Sequence, residues 1–204
     1  ALARRLSVSR GTVRTAIGRL VSEGLVERKR GVGTRVKAGP QHSGLANWQS
    51  FRAEMAARGI RVDDLHLKLK RADASDGVAR ALGIRTRRKV WQLHRLRGWD
   101  GVPAVLMISH FHPQIQFAGD EQFEEGLYEE LNRRYEILPV RSEERITAEA
   151  AKANLAKQLS VRSGTPLLVR RRIAREAGGR AIEYAINYYN SSRCDYSLEL
   201  ERHP

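Results

Sequence analysis

Cysteine, long apolar runs and acidic residues are what this 204-residue chain has little of. Its one cysteine is Cys194. A lone thiol makes no intramolecular disulfide framework, so nothing calls for an oxidising compartment. No stretch reaches the roughly 18 consecutive apolar residues that a membrane-spanning helix needs. The opening residues, ALARRLSVSR, lack the apolar run of a secretory signal. The cytoplasm is therefore the expected compartment, and no membrane partner is expected. Internal repeats and low-complexity tracts are missing too.

What is present points elsewhere. Hydrophobic residues make up 41% of the chain, enough for a real core. The length fits one large domain, or a small one followed by a medium one. Lysine and arginine number 37 against 23 acids, a formal charge of +14 that suits a polyanionic partner. The excess is concentrated at one end. Between residues 1 and 37 stand ten basic residues, opposed only by Glu23 and Glu27. That is where a nucleic-acid module would carry its charge.

The pattern in that segment is helix, turn, helix, hairpin. Residues 1–6 read as the end of a helix, with Leu2 and Leu6 on one face. Ser9 is an N-cap for the next helix, residues 10–23. Val13, Ala16, Ile17, Leu20 and Val21 form its apolar stripe, and Gly24 ends it. Residues 25–28 and 34–37 suit short strands around a basic, glycine-containing tip that includes Arg30 and Gly31. A helix that enters the major groove needs donors for phosphates and base edges. The face opposite the stripe carries Gly11, Thr15 and Gly18, flanked by Arg10, Arg14 and Arg19. Arg14 can reach guanine in bidentate fashion, while Ser9, Arg10 and Thr12 are placed for phosphate. The tip, with Arg30 and Gly31, fits a minor groove. A solvated basic face is the bland alternative for any one arginine, and a poor one for the ordered set.

Residues 2–36 resemble the C-terminal two-thirds of the winged helix-turn-helix of GntR-type regulators. The resemblance rests on VSR-x-TVR, L-x-x-EGL-V-x-R and RG-x-GT-x-V in that order. It implies operator binding by a homodimer, with DNA contacts at Ser9, Arg10, Thr12, Arg14, Arg30 and Gly31. It also implies a first helix that would precede Ala1.

Residues 38–44 break every periodicity and read as a linker between a DNA-binding domain at 1–37 and a second domain at 45–204. There a helix at 47–58 turns Trp48, Phe51 and Met55 inward. Strands follow around Asp100-Gly101 and Gly178-Gly179, both hairpin signals. Helices are expected at 78–82, 127–135 and 148–159, and strands at 139–146 and 197–201. The sum is an α+β domain on a largely antiparallel sheet.

Four features in this domain suggest chemistry. Arg95 and Arg97 share one face of a strand, and two converging guanidinia need an anion. That anion is either an acidic patch of the protein or a bound phosphate or carboxylate. Gly126 and Leu127 begin a helix whose free amides either bind an anion or are simply capped. Glu183 and Tyr189 share a strand face and either hold the hydroxyl or amine groups of a ligand or pair with an arginine across the sheet. His110 and His112 have the spacing of a metal pair but no third ligand, so no cofactor is expected.

The order of elements resembles the UTRA effector domain of the HutC-like branch of the GntR family. The matching pieces are RLRGWDGVPA, GLYEEL, ANLAKQLSVRSGTPLL and AGGRAIEYAINYYNS. The resemblance implies a chorismate-lyase-like antiparallel sheet with flanking helices. It implies a pocket where Arg95, Arg97 and the amides at Gly126 and Leu127 hold an anionic metabolite, and Glu183 and Tyr189 hold its polar remainder. The family usually has serine at the position of Gly126 and glutamate at that of Met107, which points to a smaller or less polar anion. The expected function is a repressor relieved by its effector. A lyase-like enzyme is the first alternative, but neither Cys194 nor Ser109 has a recognisable base. A sequence-indifferent DNA-coating protein is the second.

Overall fold

The computed structural model describes residues 5, 8–22, 26–29, 33–36, 51–123 and 126–195. They form two compact units that divide between residues 44 and 45. The first contains α1 (Arg10–Ser22), β1 (Val26–Lys29) and β2 (Gly33–Val36). The Ser9 hydroxyl caps α1 by accepting the Thr12 amide at 3.0 Å, and the Ser9 carbonyl accepts from Val13. Val13 and Ile17 are half-buried, as their place in the stripe requires. Ala16, assigned to the same stripe, is exposed. β1 and β2 pair antiparallel from Val26↔Val36 to Lys29↔Gly33, one residue from the expected bounds. The helix end at residues 1–6, apart from Arg5, lies outside the described residues. So do Gly24, the tip residues Arg30 and Gly31, the linker at 38–44, Trp48 and the strand expected at 197–201.

The second unit is α+β. Its elements are α2 (Phe51–Ala57), β3 (Asp63–Asp73), α3 (Asp76–Leu82), β4 (Lys89–Trp99), β5 (Val102–Phe111), α4 (Leu127–Tyr135), β6 (Arg141–Ala150), α5 (Ala153–Gln158), β7 (Pro166–Arg175) and β8 (Ala181–Asn190). Six strands make one sheet in the order β3-β4-β5-β8-β7-β6, antiparallel throughout. Asp100 and Gly101 close the β4–β5 hairpin with φ of 54° and 70°, the left-handed pair that a tight hairpin turn requires. Side chains alternate faces along each strand. Leu106, Leu167 and Val169 pack with Ala156 and Leu159 on one side of the sheet. The opposite face carries the pocket described below. Phe51 and Met55 of α2 are buried against Val105 and Tyr189.

One stretch departs from expectation. Residues 148–150, expected to open a helix, complete β6, and the helix is only Ala153–Gln158. Ala148, Glu149 and Ala150 are good helix formers, but they pair in register with Leu168, Leu167 and Pro166. Sheet pairing with a partner distant in sequence overrides local propensity here.

Candidate functional site

Three cross-strand rows build the floor of a pocket. Leu93, Ser109, Ala185 and Arg172 lie side by side on β4, β5, β8 and β7. The next row is Arg95, Met107, Asn187 and Arg170, and the third is Arg97, Val105, Tyr189 and Leu168. Small side chains at Ser109 and Ala185 hollow the middle, and arginines stand at the ends. The first turn of α4 and Phe51 of α2 form the walls. The cavity is about 80 Å³, several times the roughly 10–15 Å³ that one water needs.

Arg95, Arg97, Gly126, Leu127, Glu183 and Tyr189 all line this one pocket, so the structure brings together every residue expected of an effector site. Arg97 is 3% exposed and donates through Nε to Asp64 Oδ1 at 2.6 Å. Arg95 is 5% exposed. Its Nη2 reaches the Phe123 carbonyl at 3.4 Å, its guanidinium lies 5.5 Å from the Phe123 ring, and its Nε has no hydrogen-bond partner. Burial, then the charge of Arg97, lower the Arg95 pKa to about 10. Burial pushes the Asp64 carboxyl up, but the hydrogen bond from Arg97 and the charges of Arg97, Arg95 and Arg52 outweigh it and hold the group below its ordinary range.

Gly126 precedes α4 with φ of 155° and no side-chain cap. A Cβ there would collide with the Glu129 carboxylate, which folds back over the glycine. Glu183 is 2% exposed and accepts the Tyr128 hydroxyl at 2.5 Å. Burial, reinforced by the charge of Glu183, pushes the Tyr128 phenol well above its ordinary pKa, so it stays a donor. Tyr189 is buried against Phe51, with ring centroids 6.1 Å apart, and its hydroxyl accepts from Asn187 Nδ2 at 3.4 Å.

Several pocket residues escaped the sequence reading. Arg170 and Arg172 repeat the arginine spacing of β4 on β7, and that repeat was the signal available. Both are bound by one carboxylate: Glu144 accepts from Arg170 Nε, from Arg170 Nη2 at 2.6 Å and from Arg172 Nε at 2.8 Å. Asp64 gave no signal, because a bulge between Asp64 and His66 breaks the strand's alternation. His110 stands outside the pocket, with Nε2 2.7 Å from Gln92 Nε2, and His112 accepts the Gln114 amide. Among the described residues, no group of three or more His, Cys, Asp or Glu is arranged to hold a metal.

In the first unit, Gly11, Thr12, Arg14, Thr15 and Gly18 are all exposed on α1. The Ser9 hydroxyl lies 2.8 Å from the Thr12 hydroxyl. Arg10 opens the helix.

The chain matches the family of bacterial regulatory proteins of the gntR type over residues 1–36, and the UTRA domain over residues 57–195. It is 30% identical over 200 residues to the probable transcriptional regulator PhnF of Escherichia coli (strain K12), covering 97% of this chain and 83% of that protein. It is 27% identical over 204 residues to the HTH-type transcriptional repressor NagR of Bacillus subtilis (strain 168), covering 98% and 83%. The crystal structure of PhnF from Mycobacterium smegmatis shares the fold with a TM-score of 0.65 at 24% identity, over 98% of this chain and 89% of that one. A basic helix-and-hairpin unit followed by a UTRA domain assigns this chain to the HutC-like branch of the GntR family, whose members are transcription regulators and not enzymes.

Proposed function

We propose that this regulator is a repressor whose operator affinity is changed by a small anionic metabolite bound in the pocket of the UTRA domain. The observation that carries the reading is the convergence of Arg95, Arg97, Gly126, Leu127, Glu183 and Tyr189 on one cavity, with a buried Arg95 whose Nε has no acceptor. A buried cationic donor without an acceptor is costly, and a phosphate or carboxylate supplies what it lacks. The amides of Gly126 and Leu127 and the positive end of α4 favour the same charge.

On the DNA side, Arg14 reads a base edge, and Ser9, Arg10 and Thr12 hold phosphates. Arg30 and Gly31, at the wing tip, enter the minor groove. The protein acts as a homodimer in the cytoplasm, on half-sites about one helical turn apart. That the similar NagR is a repressor supports the direction of control. The effector works by binding one dimer geometry better than the other, so its influence on DNA cannot exceed that difference in affinity.

The test begins with duplexes selected by the full chain from a random pool. Arg14→Ala should cost about 1–3 kcal/mol on the selected site and relax its sequence preference. A saturating effector should weaken wild-type binding to that site. An effector that fills the pocket and leaves operator affinity unchanged sinks the regulatory reading.

A further inference from the structure

We infer that the UTRA unit carries a DNA contact of its own: Arg71, Arg87, Arg88 and Lys89 bind duplex phosphates in a surface cleft apart from the effector pocket. The inference does not rest on the effector reading, because none of the four lines that pocket.

The chain builds one turn twice. After α3 it runs from Gly83 to Lys89 into β4, and after α5 from Ser160 to Pro166 into β7. The backbone hydrogen bonds of the two copies correspond. The amides of Gly83 and Ile84 donate to Arg80 and Ala79, as those of Ser160 and Val161 donate to Lys157 and Ala156. Arg88 donates to Arg85 at 3.2 Å, and Thr165 to Arg162 at 3.1 Å. Arg87 donates to Ala74 at 2.8 Å, and Gly164 to Ala151 at 2.8 Å. Two positions are left-handed in each copy: Gly83 and Arg87 at φ of 68° and 61°, Ser160 and Gly164 at 53° and 87°.

The side chains differ. The second copy reads Arg162-Ser163-Gly164-Thr165-Pro166, with one cation. The first reads Arg85-Thr86-Arg87-Arg88-Lys89, with four. A Cβ on Gly164 would meet nothing within 4 Å, so only its φ favours glycine. Arg87 takes the equivalent place at a backbone cost that glycine avoids. Ser160 shows that a left-handed side chain alone marks nothing; the density of charge is what separates the copies. The turn forms without these cations, so their reason lies in what the side chains meet.

Those side chains are available. Arg71 and every residue from Arg85 to Lys89 are exposed. Among the described residues, Arg71, Arg85, Arg87 and Arg88 have no side-chain hydrogen bond or ion pair. Arg71 is stacked with its guanidinium 4.7 Å from the Trp91 ring, which leaves its in-plane N–H donors unused. Asp73 and Asp76 are the only acids in residues 71–89, against six cations. Asp73 pairs with Lys89 at 2.9 Å, and Asp76 accepts the Thr86 hydroxyl at 3.1 Å. Asp120 and Glu176, which do not line the cleft, pair with Arg134 and Arg180. Arg71, Arg87, Arg88 and Lys89 thus line an open cleft of about 340 Å³ with Pro113 and Gln116 and no acid.

Like charges gathered in one cleft repel one another, and a polyanion relieves that repulsion. Duplex DNA is the polyanion that the family's function brings to this protein, and it presents phosphates in series. Lys68 and Lys70, exposed on the edge strand β3, carry the charge beyond the cleft, as a polymer uses and a lone phosphate does not. Such contacts hold no sequence information, so they raise affinity for all DNA alike.

The test measures binding of the full chain to a duplex it selects and to a random duplex of equal length, by fluorescence anisotropy from low to physiological salt. Three variants are compared with wild type: Arg71→Gln/Arg87→Gly/Arg88→Gln in the cleft, Lys152→Gln/Lys157→Gln/Arg162→Gln around the second turn, and Arg14→Ala. The cleft variant should lose about 2–3 from the slope of log K against log salt on both duplexes, at roughly 0.9 per phosphate contact. Its preference for the selected duplex should hold, whereas Arg14→Ala should lower that preference. The second-turn variant, which removes the same charge, should lose less than about 1 from the slope. Equal losses in the two triple variants would assign the effect to net charge and overturn the proposal. So would an unchanged slope in the cleft variant, or a wild type that binds neither duplex at low salt. Pyrophosphate, titrated by calorimetry, separates the sources of phosphate. If it binds wild type and not the cleft variant while the DNA slopes stay equal, the cleft serves a small ligand and the DNA contact is wrong. Arg87→Gly alone controls for folding: its slope should fall by about 1 while its Tm stays at or above that of wild type. A lower Tm would make Arg87 a support of the turn and count against the proposal.

Discussion

Two strands of one sheet carry the same Arg-x-Arg motif and use it differently. On β7, Arg170 and Arg172 share Glu144, which takes three hydrogen bonds from them and sits below its ordinary pKa because those bonds and charges outweigh burial. On β4, Asp64 takes a good hydrogen bond from Arg97, while Arg95 Nε lies 3.8 Å away and has no hydrogen-bond partner. One pair is tied internally and the other keeps a buried donor unused. An arginine pair on a strand is therefore not a ligand site by virtue of its spacing. What decides is whether the neighbouring strand supplies an acid that reaches both guanidinia.

The sharpest way to break the comparison is at Glu144. Glu144→Ala leaves Arg170 and Arg172 buried without their carboxylate and should cost about 3–5 kcal/mol in urea unfolding. A loss below about 1 kcal/mol would mean that the β7 pair is not a structural tie. Arg95→Ala should show the reverse profile. Anion affinity should fall on the order of 10–100-fold, the value of one or two hydrogen bonds to a charged group. Folding stability should change little, because the residue removed held an unmet donor.

Acid sharpens the comparison further. Asp64 and Glu144 both have folded-state pKa values below their ordinary ones. Their stabilisation is complete above about pH 5 and is lost as pH falls through the depressed folded values. Glu144→Gln should therefore flatten the acid limb of a stability profile, and Asp64→Asn should flatten it less. Equal flattening would erase the distinction between the pairs. The smallest effect is expected at Gly126, where φ of 155° strains any L side chain and a Cβ displaces the Glu129 carboxylate. Gly126→Ala should cost on the order of 1 kcal/mol in thermal unfolding.

Local signals carried much of this structure. Asp100-Gly101, the glycine pair at 178–179, Ser9 as a cap and the alternation along β8 each act through neighbouring residues, and each stands where its chemistry puts it. The six pocket residues were also legible, because strand alternation and a matched motif set their faces. What escaped depends on pairing across the sheet. Glu144 meets Arg170 and Arg172 only because β6 pairs with β7 in one register. Asp64 reaches Arg97 only because of the bulge in β3. Residues 148–150 joined β6 for the same reason. None of these partners is close in sequence, so no local pattern announces them.

The central claim is that Arg95 meets the effector's anion. The most direct measurement is unfolding of the full chain, wild type and Arg95→Ala, across a panel of phosphorylated and carboxylated metabolites. A ligand at a hundredfold excess over its Kd raises stability by about 2.7 kcal/mol. The account predicts that rise in the wild type and its fall to about 0.4–1.4 kcal/mol in the variant at the same ligand concentration, as a 10–100-fold weaker Kd requires. An identical rise in both would contradict it.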